Sequence, residues 1–258
     1  MLIFKKILPI LALILLFPPL PSLGSSALWR VVNNLCVFNY QRLGTAFPCE
    51  RIYLEDGRAK GYAIVRDLET RYHYLLVPTL KLKGVESPEL LSSSVPDYFS
   101  LAWQNRDVLD SVNGKPLPRK AFALTINSQR GRTQGQLHIH IACLKPHIRL
   151  SIDRQLSHIG NDWTVLPENL VGQSYIGKRI TQDNLEGVYP FVQIGRQLAK
   201  SSVEMKNFGV AVVPVTFENK QKGFVLLADE AGRVKNNTGH TENMLDFTCK
   251  GFVNKHSK

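Results

Sequence analysis

The sequence lacks internal repeats and low-complexity segments, and Gly and Pro number only 18 and 14 among 258 residues. These absences exclude a collagen-like chain, a long coiled coil and extensive disorder. Charged residues make up 21% of the chain and hydrophobic residues 44%. This is the composition of a globular protein, and the length is sufficient for one large domain or two small ones with a buried core.

Acidic residues are the scarcer charge class, because 21 Asp and Glu stand against 32 Lys and Arg, which gives a net charge of +11. An excess of this size favours an anionic partner, such as phosphate groups, an acidic lipid surface or nucleic acid. The sequence has no run of five or more basic residues and no stretch in which basic and aromatic residues alternate. We therefore expect no nucleic-acid partner.

Charge is absent from a long stretch near the amino terminus. Lys5 and Lys6 precede the apolar run 7–17, and small residues follow it, an order that is typical of an export signal. Prolines interrupt the run before it reaches the length of about 20 residues that a membrane span usually needs. A cleaved signal and a retained anchor both fit segment 1–27, and in both cases the body, 28–258, is exported.

Cysteine is scarce, and no two cysteines have the Cys-x-x-Cys spacing of a structural zinc site. An even number of cysteines is compatible with disulfides in an oxidising compartment. Of the three connectivities that four cysteines allow, we favour Cys36 with Cys49, which flank a short polar loop, and hence Cys143 with Cys249. Four free buried thiols are the alternative.

The spacing of apolar residues predicts an α+β fold, an antiparallel sheet with flanking helices, because helices do not alternate regularly with strands. The expected strands are 62–65, 72–77, 122–126, 137–143, 209–217 and 223–228. The expected helices are 27–43, 97–112, 146–159 and 190–202. A loop is expected at 81–96.

The strongest chemical signal lies in strand 137–143. Side chains two residues apart in a strand share a face, so Gln136, His138 and His140 are expected to point to one side, with the two imidazoles about 7 Å apart. Two imidazoles at this separation can converge on one small anion or one metal ion.

The loop before this strand carries groups that suit an anion. Arg130 and Arg132 supply positive charge, Thr133 supplies a hydroxyl donor, and Gly131 and Gly135 allow close backbone approach. Phosphoryl or nucleotidyl transfer with a histidine nucleophile is the interpretation that uses all of these polar groups.

Two alternatives use fewer of them. A metal site would need a third ligand, for which His73, His147 and His158 are candidates, but two arginines would repel the cation and no carboxylate stands near the histidines in the sequence. Two histidines on the solvated face of a strand are the other alternative. His73, His147, His158 and His240 have no motif around them, and each is expected to be a surface or hydrogen-bonded structural residue.

Residues 131–141 resemble the histidine-triad motif, His-φ-His-φ-His-φ preceded by a Gly-x-Ser/Thr loop. More narrowly, the chain is similar to the membrane-associated CDP-diacylglycerol pyrophosphatases of bacteria. Further segments that carry this similarity are 74–79, 84–88, 102–107 and 126–128. The resemblance covers about 36–147 in one order and continues weakly to Cys249.

The resemblance implies a histidine-triad-like fold that hydrolyses CDP-diacylglycerol to CMP and phosphatidate, without a cofactor or a catalytic metal. It implies that His138 is the nucleophile and that His140 contacts the attacked phosphate. Thr133 falls on the phosphate-loop hydroxyl and Asn127 on the upstream asparagine. Gln136 stands where the family has its first histidine, and we expect its side-chain amide to help hold the His138 imidazole by a hydrogen bond.

The expected partners follow from the same resemblance. They are CDP-diacylglycerol and an anionic membrane surface, with the body, 28–258, on the periplasmic side of a bacterial inner membrane as one hydrolase domain with a C-terminal extension. From their charge, Arg130 and Arg132 are expected to bind phosphate, with a solvated loop charge as the alternative for either, and a homodimer is left open. A non-catalytic nucleotide- or lipid-binding module and a histidine-triad hydrolase of soluble nucleotide diphosphates are the alternative functions.

Overall fold

The computed structural model describes residues 27–92, 94–199, 203–233 and 237–253. The expected export signal or anchor, 1–27, therefore lies outside the described residues except for Ala27. Within the described ranges, no helix is both long enough and apolar enough to cross a membrane.

The fold is built on one antiparallel sheet of ten strands. The strands are β1 (Arg51–Tyr53), β2 (Tyr62–Arg66), β3 (His73–Pro78), β4 (Phe122–Ile126), β5 (Ile139–Leu144), β6 (Thr164–Val165), β7 (Tyr175–Ile180), β8 (Phe208–Thr216), β9 (Lys222–Glu230) and β10 (Leu245–Asp246). Their order is β1-β2-β3-β5-β4-β8-β9-β7-β6, and β10 pairs with β5 outside this path. The predicted α+β class is confirmed.

Short helices flank the sheet. They are α1 (Ala27–Arg30), a π-helical segment (Val31–Val37), α2 (Phe38–Leu43), α3 (Tyr98–Gln104), α4 (Val108–Asn113), α5 (Pro146–Gln155) and α6 (Pro190–Leu198). The first three are continuous and match the helix predicted at 27–43. We call this stretch the N-terminal helix. Single 3-10 turns occur at Pro88–Leu91, Arg119–Ala121, Leu156–His158, Met205–Asn207 and Thr241–Met244.

The single helix predicted at 97–112 is wrong, because the chain breaks it between α3 and α4. Asn105 lies at the break and turns its side chain inward, where its Oδ1 accepts a hydrogen bond from the Tyr53 hydroxyl at 2.8 Å. Its Nδ2 donates to the carbonyl of Leu101 at 3.0 Å. These bonds satisfy a buried amide and replace helical continuity. Gly114, with φ of 73°, then ends α4 as the sequence predicts.

Both faces of the central strands are buried. In β8, Phe208, Val210 and Val212 pack on the side of α3, α4 and α6, whereas Ala211 and Val213 pack on the side of α5. Alternate side chains of a strand point to opposite faces, so covering both faces requires the nearly continuous apolar run seen here. Burial of each Phe and Val side chain among them contributes about 1.5–3 kcal/mol.

Both predicted disulfides are present. Cys36–Cys49 links the N-terminal helix to the loop before β1, and Cys143–Cys249 links β5 to the C-terminal segment. The second closes a loop of 106 residues, the first a loop of 13. In the chain-entropy model such loops correspond to about 5 and 3 kcal/mol of stabilisation.

Candidate active site

A cavity of about 540 Å³ lies over strands β3 and β5. Four histidines line it: His73, His138, His140 and His240. We call it the histidine cavity. Its other walls come from the N-terminal helix, from the loop between β4 and β5, and from the carboxylate of Glu242 near the C-terminal end.

Pairing of β3 with β5 explains why two distant histidines meet. His73 is the first residue of β3 and lies opposite Ala142, while Leu75 lies opposite His140. Side chains at diagonal positions on one face of such a pair are within reach of each other. The register therefore brings His73 to His140, although 67 residues separate them.

His138 has a fixed tautomer. Its Nδ1 lies 2.7 Å from the main-chain carbonyl oxygen of Gln136. Since a carbonyl oxygen only accepts hydrogen bonds, Nδ1 carries the proton and Nε2 keeps its lone pair. Burial lowers the pKa of His138, which keeps the ring neutral at pH 7. A neutral imidazole with a free Nε2 is a competent nucleophile.

Gln136 contacts His138 through its main chain only, so the predicted bond from its side-chain amide is wrong. The amide Nε2 donates instead to the carbonyls of Pro78 and Leu80, at 3.2 and 3.0 Å. The side chain is buried and ties the end of β3 to the start of β5. Orientation of His138 therefore does not depend on having a histidine at position 136.

His140 is paired with His73. The Nδ1 of His140 lies 2.8 Å from the Nε2 of His73, and the two rings are stacked. Burial, and next the neighbouring His138, lower the pKa of His140 well below its ordinary value. Within the described parts of the chain, its other nitrogen, Nε2, has no hydrogen-bond partner although it is buried. This nitrogen is available to a group that enters the cavity.

Two carboxylates flank the histidine pair. Asp67 Oδ2 lies 3.3 Å from His73 Nδ1, and Glu242 Oε2 lies 3.7 Å from His140 Nε2. Burial lowers the pKa of His73, while Asp67 and Glu242 oppose that shift. The expectation that carboxylates are absent from around the histidines is therefore wrong. No carboxylate is close to them in the sequence, but the fold brings Glu242 to them from a segment about a hundred residues away in the chain.

Glu242 is held by a reciprocal pair of bonds with Asn127. Asn127 Nδ2 donates to Glu242 Oε2 at 3.0 Å, and the main-chain N–H of Glu242 donates to Asn127 Oδ1 at 3.1 Å. Burial raises the pKa of Glu242, but His240, His140 and the Asn127 bond outweigh it and bring the pKa to about 2. Glu242 is therefore ionised, and Asn127, predicted to contact phosphate, positions it.

His73, His140 and Glu242 are the described residues that could hold a metal ion, since one atom of each lies within 4.8 Å of the others. A metal bound by His73 Nε2 and His140 Nδ1 fits poorly. These two nitrogens are 2.8 Å apart and hydrogen-bonded, whereas two nitrogens at 2.0–2.1 Å from a tetrahedral zinc are about 3.3 Å apart. The other candidates, His147 and His158, lie on α5 and the turn after it, outside the cavity wall.

The loop between β4 and β5, which carries Gly131, contributes Thr133 to the histidine cavity but neither of its two arginines. Gly131 and Thr133 line it, but Arg132 makes a two-pronged ion pair with Glu86, with both N–O distances 2.6 Å. Arg132 lies instead in a neighbouring groove with Lys81 and Lys83, which we call the basic groove. The exposed Arg130 lines neither.

Gly131 is required for packing between two loops. A Cβ at this position would lie 2.9 Å from the main-chain oxygen of Gly239 and 3.1 Å from the Cα of His240. The sequence predicts that a backbone can approach Gly131 closely, and in the structure the approaching backbone is that of the segment with His240 and Glu242. Because Gly131 has no side chain, this segment can come close enough to contact the histidines.

A family model described as CDP-diacylglycerol pyrophosphatase matches residues 24–252. The chain belongs to this family. Members of the CDP-diacylglycerol pyrophosphatase family are hydrolases of phospholipid metabolism, so the protein is an enzyme, and the family implies CDP-diacylglycerol as its substrate. The match includes the whole wall of the histidine cavity, from Ala27 to Glu242.

The sequence identified His138 and His140, and it offered His73 only as a candidate metal ligand; Asp67, His240 and Glu242 were missed. One signal for His73 was present, since it is a histidine in an otherwise apolar predicted strand. Glu242 and His240 stand in a polar segment without any strand or helix pattern. Only the folded chain shows that this segment packs beside the end of β4 and reaches His140 on β5.

Proposed function

We propose that the enzyme hydrolyses CDP-diacylglycerol to CMP and phosphatidate through a nucleotidyl-histidine intermediate on His138. The observation that carries the proposal is the His138 tautomer, with Nδ1 bound to the Gln136 carbonyl and Nε2 unprotonated in the wall of the cavity. A nucleophilic imidazole needs this arrangement.

The reaction takes two steps. Nε2 of His138 attacks the phosphorus that bears cytidine; the N–P bond forms, and the P–O bond to the second phosphate breaks, with its electron pair leaving on phosphatidate. Water then attacks the same phosphorus, the N–P bond breaks, and CMP departs while the water proton passes to solvent. Phosphatidate leaves as a stabilised anion, so the first step needs no general acid.

His140 is proposed to stabilise the charge that develops on the phosphoryl oxygens. If His73 Nε2 donates to His140 Nδ1, then His140 must carry its proton on Nε2, which points to the site. Asp67, near the other nitrogen of His73, stabilises the doubly protonated ring, in which Nδ1 faces Asp67 and Nε2 donates to His140. The Thr133 hydroxyl adds a donor at the rim.

The second phosphate is proposed to lie toward the basic groove. This groove shares Thr133 and Gln134 with the histidine cavity, so a pyrophosphate can extend from one into the other. Lys81, Lys83 and Arg132 would then supply positive charge. We also propose that Arg130 contacts a phosphate. This part of the proposal is based on its position in the sequence, because Arg130 lines neither the cavity nor the groove.

We further propose that the body adopts a histidine-triad-like arrangement in one domain and acts on the periplasmic side of the inner membrane, against an anionic membrane surface. Two disulfides fit an oxidising compartment. The charge of +11 fits an anionic surface, and the family's substrate is itself a membrane lipid.

The test uses full-length protein in detergent with CDP-diacylglycerol that is labelled on the cytidine-bearing phosphate. We expect CMP, and an acid-labile label on the peptide that contains His138 after rapid quenching. CMP without label on His138 would contradict the intermediate. Binding of the lipid without CMP would favour the non-catalytic module, and faster turnover of soluble nucleotide diphosphates would favour the other alternative.

A further inference from the structure

The N-terminal helix has one buried and one exposed apolar face. Val32, Cys36 and Val37 are buried and pack in a cluster with β1, β2 and β3. On the exposed side, Leu35 and Phe38 are 46% and 54% accessible. A helix that only covered the sheet would place polar residues at these positions.

The exposed apolar surface continues past the helix. Leu43 and Phe47 are both 71% accessible, and Phe47 lies in the loop that the Cys36–Cys49 disulfide closes. Among the described residues, ten large apolar side chains are exposed, and five of them lie between positions 35 and 47. Single exposed apolar residues are ordinary, but such a concentration marks an interaction surface. We call Leu35, Phe38, Leu43 and Phe47 the apolar surface.

This helix also forms a wall of the histidine cavity. Leu28 and Val31, in its first turns, line the cavity that holds His138. One helix thus carries apolar side chains from the reaction site to the apolar surface. At the same end, its first described residue, Ala27, lies ten residues after the apolar run 7–17 in the sequence.

We propose that the apolar surface docks on a phospholipid bilayer and that the diacylglycerol part of the substrate passes along Leu28 and Val31 while its phosphates enter the histidine cavity. This inference rests on the proposed function. Only a few bonds separate the pyrophosphate of such a lipid from its acyl chains, so the cavity mouth must lie at headgroup level. Interfacial helices insert about 5–10 Å, to that level.

The charges on the helix favour a lipid occupant over a protein. Arg30 and Arg42 are both exposed on it, and no acidic residue occurs between 27 and 49. Lys81 lies over the ring of Trp29 on the same helix, with its Nζ 5.2 Å from the ring centroid. Exposed apolar side chains among cations are typical of helices that bind anionic membranes.

The first experiment compares two forms of one substrate. Full-length wild type and the double variant Leu35→Gln/Phe38→Gln are assayed on CDP-diacylglycerol in phosphatidylcholine vesicles that contain phosphatidylglycerol, and on a water-soluble short-chain CDP-diacylglycerol. We expect the double variant to lose about tenfold or more in turnover on vesicles and to keep wild-type turnover on the soluble form. Leu150→Gln is the matched control, because Leu150 is 60% exposed on α5, which packs in a separate apolar cluster with β8 and β9 and does not line the histidine cavity.

The two-substrate comparison separates the outcomes. Equal losses on both substrates, or no loss on either, would overturn the docking surface while leaving the proposed function standing. Full activity on the soluble form shows that the variant is folded.

A second measurement does not depend on catalysis. Wild type in vesicles that contain a diazirine-labelled phosphatidylcholine is irradiated, reduced, digested and mapped. We expect label on peptides from 28–47 and none on peptides that contain Leu150. Label confined to 1–26 would contradict docking by the helix. If wild type releases no CMP from the soluble substrate but label still maps to 28–47, the proposed function fails and the surface stands.

Discussion

The imidazole of His138 is oriented by a carbonyl of the main chain, which no side-chain substitution removes. Gln136→Ala therefore keeps the bond to Nδ1 and loses only the two bonds that fix the end of β3. We expect this variant to lose about 1 kcal/mol of transition-state stabilisation, roughly fivefold in rate. His138→Ala is expected to lose nearly all activity. The measurement is CMP release from CDP-diacylglycerol.

A series of leaving groups provides the control for this prediction. With no acid at position 136, pyrophosphate-linked substrates should be cleaved well and cytidine phosphoramidates poorly, because an amine must be protonated to depart. Efficient cleavage of the phosphoramidate, or a Gln136→Ala variant as inactive as His138→Ala, would show that Gln136 acts chemically.

Asp67 is expected to control the proton that His73 and His140 share. Its negative charge raises the pKa of His73 against the effect of burial, so in Asp67→Asn the pKa of His73 falls. Protonated His73 then persists only to a lower pH, and we expect the alkaline limb of the kcat profile to move to lower pH. Glu69→Gln is the matched control, since Glu69 also lines the cavity. Superimposable profiles for Asp67→Asn and wild type would exclude this role.

Chelation should leave the rate of CMP release unchanged. The reason is the hydrogen bond between His73 and His140, which a metal bound to both nitrogens would have to break. The assay compares activity before and after dialysis against a chelator. A loss of activity that zinc or manganese restores would assign His73, His140 and Glu242 to a metal centre.

Asp229, near the end of β9, holds the segment that leads to Glu242 in place. The buried carboxylate of Asp229 accepts hydrogen bonds from Asn237 Nδ2 at 2.7 Å and from the N–H of Gly239 at 2.9 Å. Asp229→Asn replaces one carboxylate oxygen, a hydrogen-bond acceptor, with an NH2 group, a donor. One of the two hydrogen bonds is then lost, and the new NH2 group faces the buried N–H group that donated to that oxygen. We expect about a tenfold lower kcat, because Glu242 follows directly, and a stability loss of about 1–3 kcal/mol.

The matched control for this element is Glu230→Gln, at the neighbouring position where β9 ends. It should leave kcat within about twofold of wild type. An Asp229→Asn variant with wild-type kcat would show that the segment holds its place without this anchor.

Most of the sheet could be predicted from sequence because its strands carry strong apolar patterns. The strands around β2, β3, β4, β8 and β9 are confirmed to within two residues at each end. β5 begins at Ile139 instead of 137, because Leu137 bonds to Leu82 and Gln136 to the end of β3. These contacts come from a segment that the sequence predicts to be a loop.

β7 was missed because its own pattern is weak. Tyr175–Ile180 contains Gly177, Lys178 and Arg179, and its stability comes from pairing with β9 along six residue pairs. The same limit applies to the site. The His-x-His pattern is local and could be found, whereas the approach of Asp67 and Glu242 depends on packing between segments that are far apart in sequence.

For the whole molecule, the buried histidines make stability depend on pH. Burial lowers the pKa of His73, His138 and His140 below the ordinary value of 6.5. The unfolded chain therefore binds protons that the folded protein does not, and the free energy of unfolding falls as pH decreases through that value. We expect a decrease from pH 7.5 to pH 6, measured by urea unfolding without reductant.

The variant His140→Gln checks the assignment, since it should reduce that slope. The window stops at pH 6 because burial raises the pKa of Asp229 to about 6, and that group has the opposite effect below it. A free energy of unfolding that is flat from pH 7.5 to pH 6 would show that the histidines keep their ordinary pKa.

The second disulfide and β10 tie the end of the chain to the strand that carries His140. Cys249 bonds to Cys143, Leu245 pairs with Leu144, and Glu242 approaches His140 itself. The ribosome must therefore translate the chain through Cys249 before these contacts can form. Nascent chains, or chains terminated before this residue, lack a finished site, and we expect activity only once residues 242–249 have joined the fold.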